Sequence, residues 1–238
     1  MKKWLLIGLV ICITLLFLVG FNSFFTKEDK EQSILVKKDQ AKELDIELSL
    51  GIGEITVQKG TTEWIEGNAI YNVKKLKPTV DYNLRGKIGN VEIEHKNTKS
   101  FKFSKIKNNW QLNFTDKTPL KLSIETGAAM ANLNLQGLKL KDLGIETGIG
   151  DLTVDLRGDW EKSFETNIEA GIGQTTVYLP SDVGVKILLE KGIGTANVVG
   201  LLSQGNGVYV NEAFQNADVL LTITTEMGIG EVSFVLDQ

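Results

Sequence analysis

The chain has 238 residues, of which 42% are apolar, so it is long enough for one or two domains with a packed core. Its net charge of −4, with Lys and Arg interspersed among Asp and Glu, leaves no basic stripe and excludes nucleic acid as a partner. With one cysteine, Cys12, and one histidine, His95, the chain cannot form an internal disulfide or assemble a Cys/His zinc site.

The first predicted element is a membrane anchor in residues 4–25, which run for 22 residues without a charge. A helix of this length spans about 30 Å of hydrocarbon, so we predict one transmembrane helix and assign residues 1–26 to it. Lys2 and Lys3 precede the run and more acid than base follows it, which places the N-terminus in the cytoplasm and the remaining chain outside. Signal cleavage and lipid attachment are the alternatives, but there is no A-x-A site and Ile11 precedes Cys12.

Residues 27–113 follow as a predicted N-terminal irregular β region, which is more charged than the rest of the chain. Residues 96–109, KNTKSFKFSKIKNN, are strongly basic. Two interpretations remain open for this run: it binds anionic envelope polymer or lipid headgroups, or it forms solvated edge strands that lysines protect. His95, just before it, is interpreted as a solvated residue at a strand end rather than a catalyst.

A Gly-Ile-Gly motif then recurs in six copies, which begin at Gly51, Gly127, Gly148, Gly171, Gly192 and Gly228; the copy at Gly127 has Ala128 and Ala129 in place of the isoleucine and the second glycine. Apolar residues stand three and five positions before the first glycine in nearly every copy, and six positions after it in all of them. This period-2 pattern on both sides of the motif is typical of half-buried strands. A spacing near twenty residues matches one rung of a β-solenoid, so we predict an all-β fold with a β-solenoid of stacked two-strand rungs in residues 114–238.

Each motif is predicted to be a corner, with its isoleucine inserted into the core and its glycines adopting positive φ. Successive rungs are expected to lie on top of one another in chain order, about 4.7 to 4.9 Å apart. The run VDYNLRGKIGNVEIE is interpreted as a worn seventh copy, in which Lys87 replaces the first glycine. A nucleotide-binding loop is excluded because G-x-G-x-x-G opens a helix, whereas the residues after Gly150 have a strand pattern.

Glutamates recur two positions before the motif and are predicted to face outward: Glu125, Glu146, Glu169, Glu190 and Glu226. They form either a solvated face or a row of carboxylates that collects cations or binds a basic partner. A carbohydrate-active enzyme that uses Asp151 with Glu146 or Glu169 is a further alternative, although spacing alone does not bring two carboxyls to one cleft. We therefore predict no catalytic, metal or cofactor site, and a protein that is not an enzyme.

The step from Gly192 to Gly228 is 36 residues, and its excess falls around LLSQGNGVYVNEAFQNADV. We expect this insertion to cap the last rung, whose open edge must be hidden from other chains. Tyr209 and Phe214 in the insertion, together with Trp160, are the candidate partner-binding residues. Packing is the alternative role for all three.

Residues 108–156, from NNWQLNF through PLKLSIETGAA to LKLKDLGIETGIGDLTVDL, resemble the bacterial toast-rack family. The final run, GNGVYVNEAFQNADVLLTITTEMGIGEVSFV, is similar to the C-terminal domain of LiaF-type cell-wall stress regulators. The resemblance implies a β-solenoid displayed from a bacterial membrane, often in envelope stress, with no catalytic residues to carry over. One predicted transmembrane helix distinguishes this chain from the LiaF group, which has several.

These patterns predict a single-pass envelope protein whose extracytoplasmic solenoid is an interaction or sensing module, and the resemblance implies a role in the cell-wall stress response. Its expected partners are the membrane, through the N-terminal helix, and a protein of the envelope. An adhesin-like binder of anionic wall polymer is the alternative function. No cofactor is expected.

Overall fold

The computed structural model describes residues 28–95 and 106–237, and in these residues the protein is all-β. No helix in the described residues is long and apolar enough to cross a membrane, and the anchor predicted for residues 4–25 lies outside them. Two 3₁₀ helices, Lys74–Leu76 and Glu212–Gln215, interrupt the strands. The strands are β1 (Lys30–Val36), β2 (Glu43–Lys59), β3 (Ile65–Tyr71), β4 (Pro78–Arg85), β5 (Ile88–His95), β6 (Asn108–Phe114), β7 (Leu120–Asn134), β8 (Leu140–Asp155), β9 (Phe164–Leu179), β10 (Gly184–Val199), β11 (Leu202–Gly205), β12 (Val208–Val210) and β13 (Leu220–Leu236).

Six of these strands are long and each contains one copy of the motif; we call β2, β7, β8, β9, β10 and β13 the rungs. A straight strand of 16 residues, such as β8, would extend for about 53 Å. The connection from β7 to β8 has only residues 135–139, which reach at most about 20 Å. Because β8 nevertheless pairs parallel to β7, each rung must fold back on itself at the motif. We call the part before the motif the first arm and the part after it the second arm.

The rungs are parallel and their motifs are in register. Ile149 pairs with Ile172, Ile172 with Ile229, and Ile229 with Ile193. The order in the sheet is β2, β7, β8, β9, β13, β10, so the last rung in the chain lies between two earlier ones. The expectation of rungs stacked strictly in chain order is therefore wrong. The inner position suits β13, because Phe234 and Val232 are fully buried and need neighbours on both sides.

The core lies between the two arms and is built from the columns found in the sequence. The column three positions before the motif is buried in every rung, and the column six positions after it is buried in all rungs except β10, where Val198 is half-buried: the buried members are Leu48, Ile124, Ile145, Ile168, Leu189, Thr225, Val57, Leu133, Val154, Val177 and Phe234. Full burial of one such aliphatic side chain stabilises the fold by about 1.5–3 kcal/mol. The prediction of an all-β repeat fold is confirmed.

Shorter strands cover the N-terminal end of the stack on both arms. The first arm of β2 pairs with β5, which pairs with β4, and its second arm pairs with β6, followed by β3 and β1. The strands on both sides of the predicted boundary at residue 113 thus belong to one sheet.

The run around Lys87 is a hairpin rather than a seventh corner. Gly86 and Lys87 form the turn that joins the antiparallel strands β4 and β5. Ile88 pairs with Glu43, and not with the motif residue Ile52. The interpretation as a worn copy is wrong because alternating apolar residues after a glycine also describe a strand that leaves a tight hairpin turn.

Candidate interaction surface

The motif forms a bend that shifts the phase of the side chains. Along β8, Ile145 and Leu152 both face the core although seven positions separate them, an odd number that would place them on opposite faces of a regular strand. In five of the six rungs the second glycine of the motif has a positive φ, as at Gly150 with φ of +138°, and the phase changes there; β7 has Ala129 at this position. A Cβ at Gly150 would lie 1.8 Å from the carbonyl oxygen of Ala129 on the neighbouring rung, so both the backbone angle and the space require glycine.

The phase shift leaves the motif isoleucines on the outside of the bend. Ile149, Ile172, Ile229 and Ile193 have 57%, 48%, 47% and 74% of their surface exposed. They belong to four successive rungs and pair with one another in register, so they form one continuous row, which we call the isoleucine ladder. The prediction that these side chains insert into the core at a corner is wrong, because the apolar columns of the arms already fill the space inside the bend.

A second row runs parallel to the first, three residues earlier in each rung. Glu125 pairs with Glu146, Glu146 with Glu169, and the row continues through Glu226 to Glu190. All five carboxylates are exposed, as predicted, and we call them the glutamate ladder. Neighbouring rungs are about 4.8 Å apart, so the carboxylates repel one another, and an opposite charge bound along the row would relieve this repulsion.

The glutamate ladder borders a groove of about 640 Å³ that crosses the rungs just before the bend. Its floor is formed by the residues between each glutamate and the motif, which include Thr126, Ala170 and Met227. Lys191 is the one basic residue among the described residues that line the groove, and its Nζ donates to the carbonyl oxygen of Gly194 at 3.1 Å. The surface therefore combines a negative row, a shallow groove and an exposed apolar row.

The carboxylates of the alternative enzymatic site lie on both sides of the bend. Within residues 28–95 and 106–237, no group of three His, Cys, Asp or Glu side chains is placed to hold a metal ion. Asp151, the proposed partner of Glu146 and Glu169, lies beyond the bend on the second arm and pairs with Gln174. The carboxylates thus lie along an open surface rather than across a cleft.

The three candidate partner-binding residues lie elsewhere. Trp160 is buried, with its Nε1 donating to the carbonyl oxygen of Leu156 at 2.7 Å and its ring 4.6 Å from that of Phe164, so it offers almost no surface to a partner. Tyr209 is half-buried on β12, where it pairs with Ile187 of β10. Phe214 is half-buried in the second 3₁₀ helix, beside Gly184.

The insertion that carries Tyr209 and Phe214 covers β10, but only along its first arm. β12 pairs antiparallel with Lys186, Ile187 and Leu188, and β11 pairs with β12. The buried side chain of Asn211 fixes this cover, because it accepts from Val185 N at 2.9 Å and donates to the carbonyl oxygen of Val183 at 2.7 Å. The expected cap is present, and it stops at the bend.

His95 is buried rather than solvated. Its Nε2 accepts a hydrogen bond from Gly51 N at 2.7 Å, and its ring lies edge-on to Trp110 with 6.1 Å between the centroids. β5 ends and β6 begins on either side of the bend of β2, so the His95 side chain takes the place of a neighbouring strand there. Of the basic run, residues 96–105 lie outside the described residues, and Lys107 forms an ion pair with Asp29 at 2.6 Å.

The isoleucine ladder was missed although the sequence contains a signal for it. In each copy, the core columns stand three positions before and four positions after the first glycine, at an odd separation. An odd separation between two inward columns requires a change of phase between them. The number of residues between the two core columns therefore indicates that the isoleucine between them need not face the core.

Two family descriptions match the sequence. Residues 25–178, about two thirds of the chain, match the N-terminal domain of toast_rack, and residues 130–234 match the C-terminal domain of LiaF, described as a cell wall-active antibiotics response protein. The second match contains the whole isoleucine ladder. A comparison with curated proteins found no match.

Among solved structures, a "putative cell adhesion protein" from Clostridium sporogenes is similar over 88% of this chain and 100% of that chain, with 28% identity and a TM-score of 0.86. A "putative adhesin" from Bacteroides fragilis aligns over 88% of this chain and 98% of that chain, with 10% identity and a TM-score of 0.35. The first shares the fold throughout its length, whereas the second superposes too poorly to carry an argument.

Proposed function

The chain belongs to the toast-rack family, with a C-terminal part of the LiaF type, and on this premise we propose that it is an interaction module of the bacterial cell envelope that acts in the response to cell-wall stress. In this proposal, residues 1–26 anchor it in the membrane and the rungs lie outside the cytoplasm. The isoleucine and glutamate ladders bind a protein partner. The LiaF-type match supports the stress setting, because it covers the rungs that carry the isoleucine ladder.

The observation that carries the proposal is the exposed isoleucine ladder. Single exposed apolar residues are ordinary on protein surfaces, but continuous apolar patches mark sites of interaction. Here four isoleucines repeat on four successive rungs and form one row. Because each rung is fixed by parallel pairing to its neighbours, the row is presented rigidly and a partner would not have to order it.

The chemistry of the two rows defines the partner. The isoleucine ladder fits a row of apolar side chains, and the glutamate ladder beside it fits Lys or Arg on the same element. An amphipathic helix or strand with one apolar and one basic face satisfies both. Salt should weaken the encounter with such a partner, because the carboxylates are exposed.

The test is crosslinking in intact cells, with a photoreactive side chain in place of Gln174, next to the isoleucine ladder. We expect the full chain to capture an envelope protein, and the yield to change when a cell-wall antibiotic is added. Ile149→Ser with Ile172→Ser should abolish capture. Leu35→Ser with Ile88→Ser is the matched control, because Leu35 and Ile88 are 46% and 40% exposed and lie far from the ladder. Equal capture by the two variants, or no capture in either condition, would refute the proposal.

The second candidate function is adhesion to anionic wall polymer. It is supported by the similarity to a protein from Clostridium sporogenes whose printed description is a "putative cell adhesion protein", and by the basic residues 96–105. The full chain in detergent should then sediment with purified wall material at low salt and be released at high salt. Lys102→Gln with Lys105→Gln should weaken this sedimentation, whereas the Ile149→Ser and Ile172→Ser variant should not. Absence of sedimentation at low salt would remove this candidate.

A further inference from the structure

The second arm of β10, from Ile193 to Val199, is an open sheet edge. It pairs with β13 along one side, from Ile193 with Ile229 to Val199 with Val235. No strand in the described residues pairs with its other side. The pairing of β12 with β10 ends at Leu188 of β10, and the last contact of the cover is the hydrogen bond from Leu189 N to the carbonyl oxygen of Gly207 at 2.9 Å. From Thr195 to Val199, a row of backbone N–H and C=O groups is therefore available for pairing.

The other edges in the described part of the sheet are protected. β1 begins with Lys30 and Glu31, and β4 begins with Pro78 and carries Asp81 and Arg85. β11 has four residues and an irregular register with β12. Charges, proline, short strands and bulges are the means by which natural sheets prevent edge-to-edge pairing.

The open edge lacks most of these protections, although the Nζ of Lys191 donates to the carbonyl oxygen of Gly194 at 3.1 Å. Residues 192–202, GIGTANVVGLL, contain no charge and no proline. Ile193 and Val199 are 74% and 50% exposed. The edge is also preorganised, since continuous pairing with β13 holds it in extended conformation before any partner arrives. A neutral edge of seven residues that is already extended is a template for an additional strand.

We propose that the occupant is the same edge of a second copy, paired antiparallel about Ala196. In this pairing Ile193 lies opposite Val199, Gly194 opposite Val198, and Thr195 opposite Asn197 of the other copy. The paired segment, Ile193 to Val199, contains no charged residue, so no like charges face each other. The two-fold axis closes the assembly at two copies, because each copy uses its one unprotected edge.

Charge favours this occupant over a head-to-tail filament. In the antiparallel arrangement, the glutamate ladders of the two copies lie at opposite ends of the paired edges, so their carboxylates do not face each other. A head-to-tail contact would instead bring the neutral edge against the charged β1 of the next copy, where Lys30 and Glu31 would lose hydration without gaining an ion pair. The inference does not depend on the partner proposed for the ladders.

The first test is disulfide formation in the full chain with Cys12→Ala as background. Cα atoms directly opposite in an antiparallel pair are about 4.5–5.5 Å apart, within the range of a disulfide. Ala196→Cys should therefore yield a crosslinked dimer on mild oxidation. Ser33→Cys, exposed on the edge strand β1, is the control and should stay monomeric. Equal crosslinking of the two variants, or crosslinking of Ala196→Cys to a different membrane protein, would overturn the proposal.

The second test adds charge to the edge and measures association by light scattering in detergent. Thr195→Lys with Asn197→Lys places lysines opposite each other in the dimer and should weaken association at least tenfold. Gln174→Lys with Thr176→Lys changes the corresponding positions of β9, which is paired on both sides, and should leave association unchanged. Circular dichroism verifies that both variants are folded. A chain that is monomeric at every concentration, or a dimer insensitive to the edge lysines, would also overturn the proposal.

Discussion

The two ends of the stack are closed differently. At the N-terminal end, separate strands cover both arms of β2, and side chains cover its bend: His95 accepts from Gly51 N, and Asn108 Nδ2 donates to the carbonyl oxygen of Ile52 at 2.7 Å. At the C-terminal end, β12 covers the first arm of β10, whereas its second arm has one neighbour among the described residues.

The difference shows in matching positions of the core. Val57 on β2 is fully buried, whereas Val198, in the same column on β10, is half-buried. A repeat cannot bury its outer face by itself, so each arm needs its own cover. The uncovered arm is therefore where this fold has surface available for association.

The largest effect should come from removing the residue that holds the C-terminal cover. Asn211→Ala leaves the buried Val185 N–H and Val183 C=O without partners, and should lower the free energy of unfolding by about 2–4 kcal/mol. Hydrogen exchange should then accelerate in the first arm of β10 before it does in β2. Asn132→Ala, at an exposed position on β7, is the control. Uniform acceleration across the rungs would contradict a separate cover for each arm.

A direct comparison of the ends uses the matching valines. Val57→Ala removes two fully buried methyl groups and should lower the free energy of unfolding by about 2 kcal/mol. Val198→Ala should lower it by less than about 1 kcal/mol, because that side chain is half-buried in the folded protein. Urea unfolding of the two variants measures this difference. If Val198→Ala cost as much as Val57→Ala, the second arm of β10 would be covered in solution.

The smallest effect concerns an inner rung and depends on pH. Burial raises the pKa of Asp155, but hydrogen bonds from Arg157 and from Gln136 outweigh burial and bring the pKa below its usual range. A lowered pKa stabilises the fold above the ordinary carboxyl value near 3.9, and this stabilisation is lost as the pH falls through the lowered value.

Asp155→Asn should therefore lower the free energy of unfolding by about 1 kcal/mol at pH 7, and the melting temperature should fall accordingly. Near pH 3 the melting temperatures of the variant and the unsubstituted chain should lie closer together. Thermal unfolding between pH 3 and pH 7 checks this. Glu165→Gln, at an exposed position without a resolved ion pair in the described residues, is the control. A loss that is equal at both pH values would show that the charge of Asp155 does not contribute.

Much of the interaction surface followed from the repeat. The outward row of glutamates was predicted because alternation fixes which face a residue occupies once its neighbours are assigned to the core. The isoleucine ladder was not predicted, because alternation within one arm does not fix the phase of the other arm; only the odd separation between the core columns across the motif does. The resemblance to the toast-rack and LiaF families was predicted from the motifs themselves, and the family matches confirm it.

The sequence by itself determined the all-β class, the six bends, the buried columns and the family, because each depends on local period and on spacing along the chain. Only the tertiary structure decided that β13 lies between β9 and β10, that the run at Lys87 is a hairpin, and that one arm remains uncovered. These features depend on which strands pair across long distances in sequence. Strands with similar patterns can pair in several orders, and the choice is made by the packing of the whole stack.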